Sequence, residues 1–312
     1  MQKLIVITGP TASGKSALAL RIALATNAEI ISSDSRQLFL HLDIGTAKPS
    51  KDELECVPHH FIGIKSPSEH YSAGMFEKDA LALYQDILNR NKKAILVGGS
   101  GLYVKAFCDG LFQEDKKLNT QNNNNNNIRH ELNLRFETEG IDNLYNELEK
   151  CDPISHKKYS DKNQVRVIRA LEYFLINGRA ISEARQENEA ITRDFESIYF
   201  GLEFSRQDLY KRINKRTLQM WEDGIVQETK DALAMGYSKD LNSLNTVGYK
   251  EVISYLEGNL TKDEAISLIG QNTRRYAKRQ ITWCRNQIPQ MNWLSGSMEE
   301  NISEIIKKAE IK

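Results

Sequence analysis

LIVITGPTASGKS, residues 4–16, carries the strongest indication of the fold in this sequence. Residues 4–8 are largely apolar and predict a buried strand, and a helical pattern runs from about Lys15 to about Ala25. Between them, residues 9–16 match G-x-x-x-x-G-K-[ST], in the strand–loop–helix setting that the phosphate-binding P-loop requires. The sequence therefore predicts a P-loop at the start of an α/β fold.

A P-loop binds anionic oxygens through its backbone amides and through the N-terminus of the helix that follows. Lys15 supplies a positive charge against the outer phosphates, and the hydroxyl of Ser16 is a candidate ligand of Mg²⁺. Nucleoside kinases, ATPases and transferases that expel pyrophosphate all use this loop. An ATPase would usually place a carboxylate at the end of another strand, but the predicted strand 94–97 is followed by GGSGLY, which contains no acid. The sequence therefore disfavours an ATPase.

The remaining pattern predicts a parallel sheet core flanked by helices, with a helical insertion. Further strands are predicted at 29–32, 94–97 and 197–204, and a helix at 72–89. Strands that alternate with helices imply a parallel sheet with both faces covered. We assign residues 1–113 and 197–312 to this core and residues 114–196 to the insertion. The insertion contains six consecutive asparagines, residues 122–127, for which we expect a disordered loop or a placeholder for unidentified residues.

Composition limits the class of protein. Basic and acidic residues balance at 42 each, but residues 206–285 hold 14 basic and 10 acidic side chains, so a modest positive excess lies there. The four cysteines are scattered without a CxxC pair, which disfavours a zinc site or a disulfide framework. Neither an apolar run of about 20 residues nor a signal peptide is visible. We therefore expect a cytoplasmic protein with no membrane partner.

An acid follows the second predicted strand. Residues 32–37 read SSDSRQ, and they place Asp34 at the carboxyl end of a strand that we expect to neighbour the P-loop strand. Ligands of open α/β sheets bind at this edge. From its position, Asp34 could accept a proton from an attacking group, cap a helix or bind Mg²⁺ from the outer shell.

Eight segments together resemble one family, the bacterial tRNA dimethylallyltransferases, which prenylate the adenosine immediately 3′ of certain anticodons. They occur in the family's order over nearly the whole chain. The segments are GPTASGKS (9–16), ISSDSRQ (31–37), DIGTAKP (43–49), YSAGMF (71–76), VGGSGLY (97–103), RVIRALE (166–172), VGYKE (247–251) and AKRQITW (277–283).

The resemblance implies that the exocyclic amine of adenine attacks the first carbon of dimethylallyl diphosphate and that diphosphate leaves. Asp34 matches the family's general base, and Mg²⁺ is the implied cofactor, with Ser16 as its ligand. Either Arg212 or Arg216 fits the family's diphosphate-contacting arginine, and the sequence does not decide between them. The implied diphosphate-binding residues are Gly9, Pro10, Thr11, Ala12, Ser13, Gly14, Lys15 and Ser16.

The resemblance also implies contacts with the tRNA anticodon stem-loop, from which the adenine must be flipped out. Two positions depart from the family: Ser100 stands where threonine is common, and Val165 stands where glutamine is common. The implied tRNA-binding residues are Asp34, Ser35, Arg36, Gln37, Ser100, Arg129, Val165, Arg166, Arg169, Asn245, Gly248, Tyr249, Lys250, Arg274, Lys278 and Arg279.

A late helix supports this expectation independently. At about 100° per residue, five basic side chains within residues 273–285 lie in an arc of about 140°, which suits phosphate contacts. Trp283 lies beyond one edge of the arc, where core packing is the favoured interpretation. The five basic residues are Arg274, Arg275, Lys278, Arg279 and Arg285.

Three other functions remain open from the sequence. A prenyltransferase acting on free adenine nucleotides would not need the insertion, and a P-loop nucleoside kinase would not need the motifs beyond the loop. A non-catalytic RNA-binding protein would not need Lys15, Ser16 and Asp34. We expect the insertion to clasp the anticodon arm, the core to carry out the chemistry, and the chain to act as a monomer.

Overall fold

The computed structural model describes residues 2–111, 122–187 and 191–310. The chain divides into two compact units, which are described separately. The first comprises Met1–Gly110 and Thr192–Lys312, and the second comprises Leu111–Ile191. The sequence predicts this second unit as a helical insertion over residues 114–196.

The first unit is built on a parallel sheet of six strands in the order β3-β2-β4-β1-β5-β6. Every strand pair is parallel, so the predicted α/β fold class is confirmed. Strands β3 and β6 were not predicted, because two or three residues show no period. The strands are β1 Gln2–Thr8, β2 Ala28–Ser32, β3 His59–His60, β4 Lys93–Gly98, β5 Phe195–Leu202 and β6 Asn292–Leu294.

One neighbour relation expected from the sequence is wrong. Strand β2 does not pair with β1, because β4 lies between them: Leu96 of β4 is in register with Ile31 on one side and with Val6 on the other. The sequence order of strands does not reveal that the chain returns to the gap between β1 and β2. Asp34 still follows the carboxyl end of β2, so it remains at the same edge of the sheet as the P-loop.

Fourteen helices are described in residues 2–111, 122–187 and 191–310, and none has the length and apolar character that crossing a membrane requires. They are α1 Lys15–Thr26, α2 Lys51–Cys56, α3 Ala73–Asn89, α4 Gly101–Asp109, α5 Asn122–Glu139, α6 Ile141–Cys151, α7 Pro153–Lys158, α8 Gln164–Asn177, α9 Ile181–Glu187, α10 Arg206–Glu222, α11 Ile225–Ala234, α12 Tyr249–Leu256, α13 Lys262–Gln287 and α14 Met298–Ala309.

Two cores of the first unit position the site. Under one face of the sheet, Leu18 and Ile22 of α1 pack against Ile5 and Ile7 of β1, and this packing anchors both ends of the P-loop. A separate cluster joins the segment after β2 to helices α11, α12 and α13. Burial of apolar side chains in these clusters stabilises the elements from which the site loops emerge.

The second unit consists of helices α5 to α9 around its own core. Leu132, Leu144, Leu148 and Leu171 form part of that core and are at most 1% exposed. The loop predicted for residues 122–127 is not observed, because α5 begins at Asn122. Leu132 of the same helix packs in the core, so the asparagines continue a helix that is already nucleated, although asparagine itself is a weak helix former.

Candidate active site

The P-loop occupies residues 9–14 between β1 and α1. Gly14 is the N-cap of α1 with φ 92°, and Ala12 has φ 63°. Positive φ is strained for residues with a Cβ and free of strain for glycine, which explains the motif's second glycine. The loop turns sharply enough for α1 to begin at Lys15.

Lys15 is held inside the loop. Its Nζ donates to the carbonyl oxygen of Pro10 at 2.7 Å, in a buried position. Burial lowers the pKa of Lys15 to about 8, with Asp34 acting in the opposite direction and Arg216 adding to the decrease. An anion bound in the loop would restore the charged form, because opposite charge favours the ammonium.

Two arginines of α10 reach the P-loop from the same helix face, since residues four apart are neighbours on a helix. Nη1 of Arg216 donates to Oγ1 of Thr11 at 3.1 Å, and Nη1 of Arg212 donates to the carbonyl oxygen of Ser13 at 3.5 Å. Burial lowers the pKa of Arg216, and Asp34 partly offsets the effect. Arg212 is exposed and stacks 4.5 Å above the ring of Phe204.

Asp34 is half-buried beyond the end of β2. Its Oδ1 accepts the backbone N–H groups of Arg36 at 2.8 Å and Gln37 at 3.4 Å, the bonding pattern of an aspartate in a turn. Within the part of the chain that the structure describes, Oδ2 has no hydrogen-bond partner. One oxygen therefore fixes the carboxylate, and the other is available to a substrate.

Two adjoining cavities meet at Asp34. The first, of about 410 Å³, is lined by the P-loop, Arg212 and Arg216. The second, of about 640 Å³, is lined by residues from α4, α12 and α13 and from the loop before α12. The residues that line both are Thr11, Asp34, Thr46, Gly99, Arg216, Tyr276 and Gln280. A group in the first cavity and a group in the second can therefore meet beside the Asp34 carboxylate.

Gln280 is a site residue for which the sequence assigned no role. Its Oε1 accepts the backbone N–H of Thr11 at 2.8 Å, and its Nε2 donates to the carbonyl oxygen of Gly99 at 2.9 Å. It therefore joins the P-loop to the loop after β4. A Cβ on Gly99 would lie 2.2 Å from Nε2, so a larger residue there would displace the Gln280 amide from this hydrogen bond. AKRQITW contains Gln280, but a motif does not reveal the partners of its side chains.

Several predicted tRNA-binding residues gather around the second cavity. Ser100 links two of its walls, because its Oγ accepts the N–H of Ser35 at 2.9 Å and donates to the Ser35 hydroxyl at 3.1 Å. Gln37 lines only the first cavity. The predicted residues around the second cavity are Asp34, Ser35, Arg36, Ser100, Asn245, Lys250 and Arg279.

Two of the residues predicted to bind tRNA are buried in this structure. Tyr249 is 0% exposed, and its hydroxyl donates to Glu228 at 2.6 Å. Gly248 is buried as well, and its N–H donates to Glu251 at 2.7 Å. The motif VGYKE contributes Lys250 to the cavity, while the two preceding residues pack inside. The sequence alone does not distinguish buried from exposed positions in the first turn of a short helix such as α12.

The predicted residues of the second unit are described by their own contacts. Arg129 and Arg169 both pair with the buried carboxylate of Glu172, at 3.0 and 2.6 Å. Arg166 is exposed, and Val165 is 68% exposed on the first turn of α8. The side chains of Arg166 and Val165 are therefore accessible to a macromolecule.

The basic face of α13 is exposed along most of its length. Arg275, Lys278 and Arg279 are exposed, whereas Arg274 donates to Asn214 at 2.6 Å and is half-buried. Trp283 is half-buried and packs so closely on Gly101 that a Cβ there would lie 2.3 Å from the indole ring. The helix therefore presents cations beside the second cavity.

Comparisons with known proteins agree with this geometry. Residues 37–287 match the family model "IPP transferase". The chain is 40% identical over 307 residues to the tRNA dimethylallyltransferase of Geobacter sulfurreducens, covering 98% of this chain and 96% of that protein. It is 44% identical over 282 residues to the tRNA dimethylallyltransferase of Thermotoga neapolitana, covering 90% and 88%.

Solved structures give the same result. The tRNA isopentenylpyrophosphate transferase of Bacillus halodurans matches with a TM-score of 0.70 and 37% identity, covering 99% of this chain and 95% of that one. A eukaryotic dimethylallyltransferase acting on tRNA matches with a TM-score of 0.82 and 29% identity, covering 100% and 78%. With identity of this level over nearly the full length, the chain belongs to the IPP transferase family.

Proposed function

We propose that this protein transfers the dimethylallyl group of dimethylallyl diphosphate to the exocyclic amine of the adenosine 3′ of the anticodon in tRNA. The observation that carries the proposal is the position of Asp34 on the boundary between a phosphate-binding cavity and a larger second cavity. The first cavity would hold the diphosphate, and the second would receive the flipped adenine.

In the proposed reaction, the bond between the adenine nitrogen and the first dimethylallyl carbon forms as the carbon–oxygen bond to diphosphate breaks. The electron pair of that bond leaves with the diphosphate, and a proton of the amine passes to Oδ2 of Asp34. An exocyclic amine is a weak nucleophile, so removal of its proton lowers the barrier. Lys15 and Arg216 would stabilise the charge that develops on the diphosphate, as preorganised donors do.

The donor set fits Mg²⁺ bound mainly through substrate oxygens. The described residues contain no group of three or more His, Cys, Asp or Glu side chains that could hold a metal, and Ser16 lines the first cavity. In a P-loop, the Ser or Thr hydroxyl binds Mg²⁺, and substrate phosphates and retained waters complete the coordination. The Ser16 hydroxyl would hold the ion, and the ion would neutralise charge on the diphosphate.

The tRNA would be held by phosphate contacts and by side chains around the flipped base. Helix α13 supplies exposed cations for the phosphate backbone of the tRNA, namely Arg275, Lys278 and Arg279. We propose that the helical unit Leu111–Ile191 clasps the anticodon arm, with Arg166 and Val165 accessible on α8. We also propose that the chain works as a monomer in the cytoplasm, which size-exclusion chromatography with light scattering and cell fractionation would test.

Binding of dimethylallyl diphosphate should weaken as pH rises above about 8. Burial lowers the pKa of Lys15 to about 8 in the free protein, and a bound anion raises it, so binding takes up a proton above that pH. The affinity should then fall by up to about tenfold per pH unit. The diphosphate itself does not titrate there, since a phosphate ester's second pKa is about 6.

Isothermal titration without tRNA, between about pH 7 and pH 9.5, measures this dependence. The Lys15→Arg variant is the control, because a guanidinium keeps its charge over the whole range. An equal pH dependence in both proteins would show that Lys15 is not the titrating group.

Removing a cation from α13 should weaken tRNA binding. It should also make the affinity for tRNA less dependent on salt concentration. For Lys278→Ala we expect a shallower plot of log affinity against log salt concentration, by about one unit for a lost phosphate contact. Filter binding with unmodified tRNA at several salt concentrations measures the slope. Lys211→Ala, an exposed lysine outside the cavity linings, is the control. A slope unchanged in Lys278→Ala would remove this residue from the interface.

One assay tests the function itself. The protein is incubated with labelled dimethylallyl diphosphate, Mg²⁺ and either unmodified tRNA or AMP. Label in tRNA is the expected result. Label in AMP would instead support an adenylate dimethylallyltransferase, and phosphate transfer from ATP to a nucleoside would support a P-loop kinase. Absence of transfer to tRNA would refute the proposal.

A further inference from the structure

Glu228 binds a chain segment that forms part of the wall of both cavities. Its carboxylate lies on α11 and accepts three consecutive backbone N–H groups, from Asp43 and Ile44 at 2.7 Å each and from Gly45 at 3.0 Å. The hydroxyl of Tyr249 donates to the same carboxylate at 2.6 Å. Four donors therefore converge on one anion, and charge-assisted hydrogen bonds of this kind are about twice as strong as neutral ones.

The bound segment, residues 43–47, forms part of both cavity walls. Ala47 lines the first cavity, Gly45 lines the second, and Thr46 lines both. Gly45 also lies against the ring of Tyr249, where a Cβ would come within 2.3 Å of a ring carbon. The segment is thus held from one side by an aromatic ring and along its backbone by Glu228.

The same segment is connected to Asp34 through Gln37. Nε2 of Gln37 donates to the carbonyl oxygen of Ala47 at 2.8 Å and to that of Thr46 at 3.4 Å. The backbone N–H of Gln37 donates to Oδ1 of Asp34 at 3.4 Å. A continuous series of hydrogen bonds therefore runs from Glu228 through residues 43–47 and Gln37 to Asp34.

We propose that Glu228 is a positioning residue, which fixes residues 43–47 and thereby the orientation of the Asp34 carboxylate toward the second cavity. This inference rests on the proposed function. Glutamine at this position would present an NH₂ group where the loop presents N–H donors, so at least one hydrogen bond would be replaced by two opposed donors. Misplacement of a reacting group by about 1 Å can reduce a rate about 100-fold.

Single-turnover transfer to tRNA, with enzyme in excess, tests the inference. For Glu228→Gln we expect the rate constant to fall about 10- to 100-fold, as when a residue that orients a catalytic group is lost, while the amplitude and the dissociation constant for tRNA stay near the wild-type values. Hydrogen exchange at Asp43, Ile44 and Gly45 should accelerate. Asp231→Asn is the matched control, because this exposed acid lies on the same helix and faces Gln227.

The readouts separate positioning from folding. Because tRNA is limiting, a partly unfolded variant reaches the wild-type rate constant once enough enzyme is added, whereas a misplaced Asp34 lowers the rate constant even at saturating enzyme. A wild-type rate constant at saturating concentrations of Glu228→Gln would overturn the inference. Should Glu228→Gln yield no folded protein, Glu228→Asp provides the same comparison with the charge retained and the reach shortened. Absence of transfer by the wild-type protein would instead refute the proposed function.

Discussion

Replacing Asp34 by asparagine is expected to lower the rate constant of transfer by about 10²- to 10⁴-fold, the range that a general base contributes. Asparagine keeps an oxygen that can accept the N–H groups of Arg36 and Gln37, so the turn around it is retained. It cannot take up the proton of the adenine amine at neutral pH. The affinity for tRNA should remain within a few fold, because the phosphate contacts lie elsewhere.

Single-turnover transfer and tRNA filter binding, both on the same preparation, test this expectation. Asp240→Asn serves as the control, because Asp240 is exposed and lines neither cavity. A loss of tRNA binding comparable to the loss of rate would make Asp34 a recognition residue. A rate within about threefold of the wild-type value would exclude it as the base, since a base contributes at least about 10²-fold.

Arg216→Gln should reduce kcat/KM by about 10²- to 10³-fold, as the loss of a preorganised donor to a developing oxyanion does. The sequence left Arg212 and Arg216 equivalent. The structure distinguishes them, because Arg216 lines both cavities and contacts Thr11, whereas Arg212 lines only the first. A half-buried guanidinium acts in a lower dielectric, so its charge has the larger effect on the leaving diphosphate. Arg212→Gln should lower kcat/KM by only about tenfold, since an exposed charge is screened by solvent.

Steady-state kinetics on both variants, measured in parallel, show which arginine contributes more to kcat/KM. Inhibition by inorganic pyrophosphate is a second measurement. Weaker pyrophosphate inhibition is expected in both variants and should be more pronounced in Arg216→Gln. Lys215→Gln is the matched control, because it is an exposed cation on the same helix that lines neither cavity. Equal losses, or a larger loss in Arg212→Gln, would contradict the assignment of the main role to Arg216.

The P-loop could be predicted in full because its information is local. An apolar strand, two glycines, a lysine and a helical pattern all lie within residues 4–25, and they specify strand, turn and helix without distant partners. The α/β class followed from the alternation of such segments. The two shortest strands and the position of β4 between β2 and β1 depend on which strands pair, and strand pairing is a long-range property.

Burial around the site could not be predicted from the motifs. Tyr249 and Lys250 are adjacent in VGYKE, yet one is fully buried against Gly45 and the other is exposed beside the second cavity. The direction of each side chain at the start of α12 is set by packing against α11 and α13, which no local pattern records. For the same reason, Gln280 and Glu228 carried no sequence signal of their hydrogen bonds to Thr11 and to residues 43–45.

Residues 9–16 are enough to predict a phosphate-binding P-loop, because every residue that such a loop needs lies there in consecutive order. The two cavities that meet beside this loop become visible only in the tertiary structure. Asp34, Arg216 and Gln280 are far apart along the chain, and the parallel sheet and helices α10 and α13 bring them together at one edge. The physical reason is that a backbone turn is specified by neighbouring residues, whereas a boundary between two cavities exists only after distant elements have packed.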